Sequence, residues 1–578
     1  MANILPGVAG LFMAEGGRVD DEALAQDSGN KCPNQNLADP GRRIWVFTTA
    51  SLPWMTGTAV NPLLRSAYLT RGREKGKVTL GVPWLEHEDQ ETVYPKGKRF
   101  TAREDQAAYV REWLVKAGLG EESEKLDLLF YPARYHEQFG SIFPMGDLAA
   151  QVPDEEADVA VLEEPEHLNF FRAEGVPWLK KFEYVVGIIH TNYEFYARTE
   201  KHGRVKKPIV RAACAFTVRA HCHRIIKLSD ALQDYAREKE MVENVHGVRP
   251  RFFEVGNESI KNGFTEDAYF IGKVLWTKGI DILLALMHNA RSKEAPDVTP
   301  AAIVGDAPAA AAAASEQDEP PPPPADYERK GQGDRGGKGG REAKPFPIVL
   351  YGNGSELEEV KAKVAEMDLP VTFHDAIDHA ELGKYKIFVN PSQSEVLCTT
   401  IAEALAMGKW VVCARHPSNE FFFSNFESCL SFTDEDEFLS CMKKALANDP
   451  PVLHKLSWAA ATDRFLAAAS RPEVPGRNSA SMSARGLAHI DKLLAALHQG
   501  SMKGKHGDFI RQALGGGPVA KQTKFARESA SASASTSSST QSSPVGGARK
   551  SAGDPKTAGE GGAKENAANT EAAGAGNA

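Results

Sequence analysis

The sequence predicts an α/β protein made of two doubly wound, Rossmann-like domains, with a disordered insertion and a disordered C-terminal tail. Three observations predict this. Short apolar runs bounded by turn residues recur along the chain and alternate with helical patterns. Continuous apolar runs mark parallel strands buried on both faces, because a strand with one wet face alternates polar and apolar residues. The pattern occurs once on each side of a Gly- and Asn-rich stretch at 256–265, so two sheets are expected. The remaining segments are unsuited to a core. Residues 291–344 hold six consecutive alanines at 309–314, five prolines at 320–324 and a Gly-rich string at 331–340. Such a stretch buries too little apolar surface to offset the entropy of ordering its backbone. Residues 515–578 are Ser, Ala and Gly with scattered charge, and residues 1–40 are rich in Gly, Asp and Asn. Of the 578 residues, roughly 420 remain, enough for two substantial cores.

The elements follow in order. Residues 44–48 read as the first strand, leading through a Gly/Pro loop to a helix around 61–71. Strands are expected at 158–162, 184–189 and 220–228. Beyond the junction come strands at 268–272, 347–351, 371–373, 387–390 and 410–414, with a helix at 280–289 before the insertion. The insertion must therefore leave and rejoin a surface loop. The divisions are 41–262 for the first domain, 263–470 for the second and 471–514 for a helical extension.

Charge and cysteine narrow the class. The balance is 68 basic against 77 acidic residues, net −9, which speaks against a nucleic-acid partner. Two segments depart from that balance: Arg65, Arg71, Arg73, Lys75 and Lys77 face only Glu74, and Arg198, Lys201, Arg204, Lys206, Lys207 and Arg211 face only Glu194 and Glu200. The seven cysteines are scattered without CxxC or CxxH spacing, so reduced thiols and no zinc site are expected. No run approaches the ~18 apolar residues that span a bilayer. The N-terminus lacks an apolar signal core, and its acids speak against a cleaved transit peptide.

Ligands of open α/β sheets bind beyond the carboxyl ends of the strands, and the chemically suggestive residues lie there. A strand ending at Asn390 turns through Ser392 and Ser394 into a helix opening near Cys398, with Thr399 and Thr400 in its first turn. Free N–H groups and the positive end of the helix dipole suit a phosphate. Glu395 in the turn and Glu403 in the helix are eight positions apart and can address one ligand from different depths; paired carboxylates suit vicinal hydroxyls. Taken alone, the same string also fits a capped helix with one solvated acid. Lys273 and Lys278-Gly279, after the 268–272 strand, can neutralise a diphosphate, although loop lysines are commonly solvated.

The Lys273/Lys278-Gly279 loop, the Gly-rich turn Tyr351-Gly352-Asn353-Gly354 and the Glu395/Glu403 pair, in that order, resemble the C-terminal half of retaining nucleotide-sugar glycosyltransferases of GT-B architecture, whose two domains face a cleft. The resemblance makes Lys273 and Lys278 the diphosphate cations, Glu403 the ribose ligand and Glu395 the donor-sugar contact, with Gly352, Thr399 and Thr400 beside the donor. Many members carry Arg at the first basic position, and Lys273 lacks its bidentate fork. The strings 48–62, 162–169, 186–193, 244–248 and 404–408 further resemble the digalactosyldiacylglycerol synthase family of plants and algae over about residues 43–470. That implies galactose transfer from UDP-galactose to monogalactosyldiacylglycerol with retention, by a peripheral protein on the cytosolic side of the chloroplast outer envelope. It also implies that the departing UDP helps to deprotonate the acceptor. No cofactor and no metal are expected, since no Asp-x-Asp motif lies in the right context.

Further roles come from position. Gly57 lies in the first strand-to-helix loop, where a missing Cβ lets backbone approach a ligand. His190 ends a strand and points into the cleft, to bond the donor sugar or to support charge at the reacting centre; a core histidine is the alternative. Glu163, Glu164, Glu166 and His167 end a neighbouring strand, and from this region Glu164, His167 and Asn192 are candidates for the acceptor. Trp54, Met55, Leu63, Leu64 and Tyr68 beside the first basic segment, and Tyr193, Phe195 and Tyr196 beside the second, pair apolar anchors with cations, as docking on an anionic lipid surface requires. Three rival readings are a glycolipid transferase with another UDP-sugar or acceptor, a decayed binding scaffold, and a dinucleotide oxidoreductase. The last is poorly supported, since Gly352-Asn353-Gly354 lacks the full G-x-G-x-x-G.

Overall fold

The computed structural model describes residues 35–137, 139–172, 174–194, 203–294, 346–450, 456–470 and 484–513. The expectations for residues 1–34, 195–202, 295–344 and 515–578 lie outside these; residues 291–294, read as the start of the insertion, continue the helix Ile280–Glu294, and Leu37, read into the N-terminal segment, is buried in the first core. An eight-stranded sheet contains β1 (Ile44–Phe47), β2 (Val78–Leu85), β3 (Asp127–His136), β4 (Ser141–Pro144), β5 (Val159–Glu163), β6 (Tyr184–Ile189), β7 (Arg224–Lys227) and β8 (Glu240–Val242). Its order is β4-β3-β2-β1-β5-β6-β7-β8, parallel except for the β3/β4 pair. The second sheet contains β9 (Glu266–Ile271), β10 (Ile348–Tyr351), β11 (Val371–His374), β12 (Tyr385–Asn390), β13 (Trp410–Ala414) and β14 (Cys429–Phe432). Its order is β11-β10-β9-β12-β13-β14, all parallel. The two doubly wound sheets are those the apolar runs predict. β5, β6, β12 and β13 are buried along most or all of their length, as strands covered on both faces must be.

Strand order reverses between β1 and β5 in the first sheet and between β9 and β12 in the second. At such a switch point the flanking connections run to opposite faces and leave a crevice at the carboxyl ends. Thr48 and Thr49, Glu163 and Glu164, Lys273 and Asn390 all lie at those four strand ends.

Three boundaries differ from the sequence reading. Residues 256–262 belong to the helix Pro250–Asn262, and Val248 and Phe252 are in the second core. Gly256 marks its crossing with the helix Thr399–Ala406, since a Cβ there would stand 2.6 Å from the Ala406 carbonyl oxygen. The second domain thus begins near Val248, not 263. Residues 457–470, grouped by sequence with the second domain, return to the first. Val248 and Ser457 form a parallel bridge. The helix Trp458–Ala469 then buries Trp458, Ala461, Phe465, Ala468 and Ala469 in the first core; a large apolar side chain so buried contributes about 1.5–3 kcal/mol. Residues 220–221 close the helix Gly203–His221 instead of opening β7. The helix Ala484–Ser501 packs along it, with His221 Nε2 2.9 Å from His498 Nδ1.

Candidate active site

On the first sheet the site is built around a buried ion pair. Arg65, in the helix Gly57–Leu69, donates Nε–H to Glu163 Oε1 at 2.7 Å, and both side chains are 0% exposed. A second guanidinium nitrogen donates to the Val245 carbonyl at 2.7 Å, and the guanidinium lies over the Trp458 and Phe465 rings at 5.9 and 5.1 Å. The other oxygen of Glu163 accepts from His190 Nε2 at 2.5 Å. Burial alone would raise the Glu163 carboxyl, but Arg65 and His190 outweigh it and bring it down to about 2. His190 is thereby fixed with Nε2–H on Glu163, leaving Nδ1 as the nitrogen available to a ligand. The His246 ring lies 5.2 Å from that of His190; burial first, then the charges of His190 and Arg65, hold it well below the ordinary histidine value.

Glu164 follows β5 in the left-handed region at φ 63°, a costly conformation for a side chain with a Cβ and one that clusters at functional sites. Its carboxylate accepts from Thr49 at 2.8 Å and from Thr191 at 2.5 Å, so the ends of β1, β5 and β6 are tied together. Asn192 donates to the Ala231 carbonyl at 2.9 Å. The acceptor role expected for His167 does not fit. Its Nε2 is 2.8 Å from the Ile142 carbonyl, its Nδ1 is 3.2 Å from the Tyr193 hydroxyl, and its ring stacks on Phe143 at 4.2 Å. With both nitrogens engaged, the ring has no donor or acceptor left for a sugar.

On the second sheet the loops after β9, β10 and β12 converge. Gly352 has φ 152°, and a Cβ there would stand 1.9 Å from the Gly272 carbonyl oxygen; a Cβ on Gly279, at φ 77°, would stand 2.3 Å from that of Pro391. Only glycine permits these approaches. Ser394 Oγ donates to the Thr277 carbonyl at 2.8 Å, and Lys278 Nζ donates to Glu395 Oε1 at 2.5 Å. The Lys278 and Glu395 side chains keep 28% and 25% exposure. Lys273 is exposed. The helix Thr399–Ala406 opens beside them, with Thr399 exposed and Thr400 Oγ1 3.1 Å from Cys398 Sγ. Glu403, one turn deeper, accepts from His379 Nδ1 at 2.8 Å. The Ser229 hydroxyl of the first domain donates to the Val396 carbonyl of the second, and Val396 and Leu397 pack on the first core. Gly57 meets only Asn61, at an ordinary 3.6 Å from a built Cβ, so no protein neighbour demands a glycine there.

Most of the first basic segment is committed to protein partners, although Met55 and Arg71, which bonds Glu122 at 2.7 Å, are exposed. Arg65 is the core partner of Glu163. Arg73 is 6% exposed and donates to the carbonyls of Leu37, Asp39 and Arg42. Leu63 and Leu64 are each 2% exposed and Tyr68 7%. Lys75 and Lys77 precede β2, so they sit at the amino ends of the strands, opposite the crevice. Of the second segment, Lys207 and Arg211 are exposed and face Glu194, each at 3.5 Å. Phe195, Tyr196, Arg198 and Lys201 lie outside the described residues, as do the side chains of Arg204 and Lys206. Reading the sequence alone misses Arg65, Thr49, Thr191, Tyr269 and His379 as parts of the site; apart from the strand-end position of Thr49 and Thr191, no local signal marks them.

Two parallel Rossmann-like sheets, with a basic loop, a Gly-rich turn and a spaced carboxylate pair at the strand ends of the second, define a glycosyltransferase fold of the GT-B type. The family model for glycosyl transferases group 1 matches residues 340–462. The chain is 40% identical over 440 residues to digalactosyldiacylglycerol synthase 2, chloroplastic, of Arabidopsis thaliana, covering 74% of this chain and 81% of the relative. It is 41% identical over 445 residues to digalactosyldiacylglycerol synthase 1, chloroplastic, of Lotus japonicus, covering 75% of this chain and 49% of the relative. The chain belongs to the digalactosyldiacylglycerol synthase family. It spans about half the length of the synthase 1 relatives of Lotus japonicus and Glycine max. Among solved structures, the Anabaena protein HepE in complex with UDP is similar at 11% identity and a TM-score of 0.37, over 78% of this chain and 98% of that one; a likeness at that level carries no argument about ligands.

Proposed function

We propose that the chain transfers galactose from UDP-galactose to monogalactosyldiacylglycerol, forming digalactosyldiacylglycerol with retention of the donor's anomeric configuration. The observation that carries this reading is the Lys278–Glu395 pair beside the opening of the helix Thr399–Ala406, which bears Glu403, at the strand ends of the second sheet in a member of this family. Lys273, Lys278 and the amino end of the helix Thr399–Ala406 are assigned to the diphosphate, which gathers charge as the glycosidic bond breaks. Thr399, Thr400 and Gly352 line the donor, Glu403 takes the ribose hydroxyls and Glu395 the galactose. Because Lys278 and Glu395 bond each other, donor binding exchanges that pair for a phosphate on one side and a sugar hydroxyl on the other. His190, oriented by Glu163, presents Nδ1 to the donor sugar, and a phosphate oxygen of the leaving UDP takes the acceptor proton. Glu164 and Asn192, on the first sheet, are assigned to the acceptor, and Gly57 to backbone approach. No metal is assigned, since the two lysines and the helix terminus meet the diphosphate charge.

The acceptor is a membrane lipid, and among the described residues no helix is long and apolar enough to cross a membrane. We assign the protein to the surface of the chloroplast outer envelope, facing the cytosol. Lys207 and Arg211, exposed on the helix Gly203–His221, are assigned to its lipid-facing part. Vesicles containing monogalactosyldiacylglycerol, incubated with purified protein, UDP-galactose and EDTA, should yield the digalactosyl lipid with an α linkage by mass spectrometry and linkage analysis. Absence of hexose transfer with UDP-galactose would overturn the proposal; equal transfer from UDP-glucose would overturn the donor assignment. Lys207→Glu with Arg211→Glu should weaken co-sedimentation with anionic vesicles, and unchanged sedimentation would remove the docking assignment.

A further inference from the structure

On the reading of Glu403 as the ribose ligand, we propose that His379 and Tyr269 form a positioning pair that aims the Glu403 carboxylate at the nucleoside. His379 Nδ1 lies 2.8 Å from Glu403 Oε2, and its Nε2 lies 2.6 Å from the Tyr269 hydroxyl. The ring opens the short turn His379–Leu382, which Asp378 caps by accepting the Ala380 N–H at 3.0 Å. It is 6% exposed, and Phe252, Tyr269 and Phe388 stand around it at 5.9, 5.6 and 5.7 Å between ring centres. This aromatic cage restricts water as an alternative partner and fixes the plane of the imidazole.

The direction of the two bonds follows from what each group can do. Tyr269 is fully buried, and that burial, with the charge of Glu403, keeps its hydroxyl protonated well beyond the ordinary tyrosine range. Among the described residues its hydroxyl bonds to His379 Nε2, so the hydroxyl donates and Nε2 accepts. The ring proton then sits on Nδ1 and is donated to Glu403. A carboxylate has about four lone-pair sites. With one of them tethered from behind, the group cannot swing, and the rest stay free for two neighbouring hydroxyls. His379 does not touch the ligand in this arrangement; it removes rotational freedom that donor binding would otherwise have to take away.

UDP binding by calorimetry on the full chain tests the pair. His379→Gln, whose amide cannot reach the Nδ1 position, should bind UDP about tenfold more weakly, a loss typical of one hydrogen bond to a charged group. His379→Asn, whose amide N–H can replace Nδ1–H, should stay within about threefold of wild type. A second probe, 2′,3′-dideoxyuridine diphosphate, lacks the ribose hydroxyls; the affinity penalty it suffers in wild type should shrink in His379→Gln. Tyr269→Phe, which frees the tautomer, should fall between wild type and His379→Gln. The positioning role is overturned if His379→Gln binds UDP normally, if His379→Asn is as poor as His379→Gln, or if the dideoxy penalty is undiminished in His379→Gln. The ribose reading itself fails, and this proposal with it, if Glu403→Ala keeps wild-type affinity and wild type binds both probes equally. Weak binding by Glu403→Ala beside normal binding by His379→Gln overturns the positioning role alone.

Discussion

The two sheets hold their polar residues in opposite ways. On the first, Arg65 and Glu163 are 0% exposed, and Glu164, at 5%, accepts from two threonines. On the second, the Lys278, Glu395 and Glu403 side chains keep 23–28% exposure. A buried group whose partners are all protein sets a geometry and cannot easily change it. A group partly in water can exchange its partner for a ligand at little cost. One sheet therefore supplies a preset half-site and the other an exchangeable one.

The largest test of that contrast is stability. Glu163→Ala leaves Arg65 charged in the core and should cost about 3–5 kcal/mol in urea denaturation. Lys278→Ala breaks a pair of similar length at the surface and should cost under about 1 kcal/mol. Equal losses would abolish the distinction. Next in size is catalysis. Lys278→Ala should lower kcat about 10²–10³-fold if it stabilises the leaving diphosphate, while Glu403→Ala should mainly raise the KM for UDP-galactose. Wild-type kinetics in both variants would remove the exchangeable half-site.

The smallest effects are in the pH dependence of stability. The Glu163 carboxyl is brought from 4.5 down to about 2. A depressed acid contributes stability that is complete above pH 4.5 and lost as pH falls toward about 2. His221, His246 and His498 are held below their ordinary 6.5 by burial. The unfolded chain takes up their protons first, so stability should begin to fall below pH 6.5 and fall again below 4.5. Glu166 acts in the opposite sense. Both its oxygens are buried without a partner among the described residues, and burial, then the charge of Glu164, raises its carboxyl well above 4.5. Glu166→Gln should therefore raise the melting temperature at pH 8 and leave it unchanged at pH 4. An equal change at both pH values would mean that the side chain acts through packing rather than protonation.

Much of this was legible in the sequence. β1, β5, β6, β9, β10, β12 and β13 are apolar runs; the Lys278, Glu395 and His190 positions follow from strand ends, and that of Glu403 from its spacing on the following helix. β2 and β3 are not among the strands expected from the sequence, and Gly81, Pro83 and Pro132 interrupt their apolar runs. Gly81 is there because the Phe47 ring occupies its side-chain space, leaving 2.6 Å for a Cβ. The sequence groups Arg65 with a membrane-docking basic segment because its neighbours in sequence are basic. Its partner Glu163 lies 98 residues away, and no local pattern reports such a pairing. His379 was missed for the same reason, since Glu403 is brought to it by the fold.

The return of residues 457–470 to the first sheet governs how the molecule can be divided. The chain passes between halves at 247–248 and again at 456–457, and these passages lie side by side. No single cut separates two self-sufficient pieces. A fragment ending at 247 would lack Trp458 and Phe465 over its core and the two rings that cover the Arg65 guanidinium. Exchange of second-sheet halves between relatives would accordingly have to replace 248–456 as an insert and keep 457–470 with the first-sheet half.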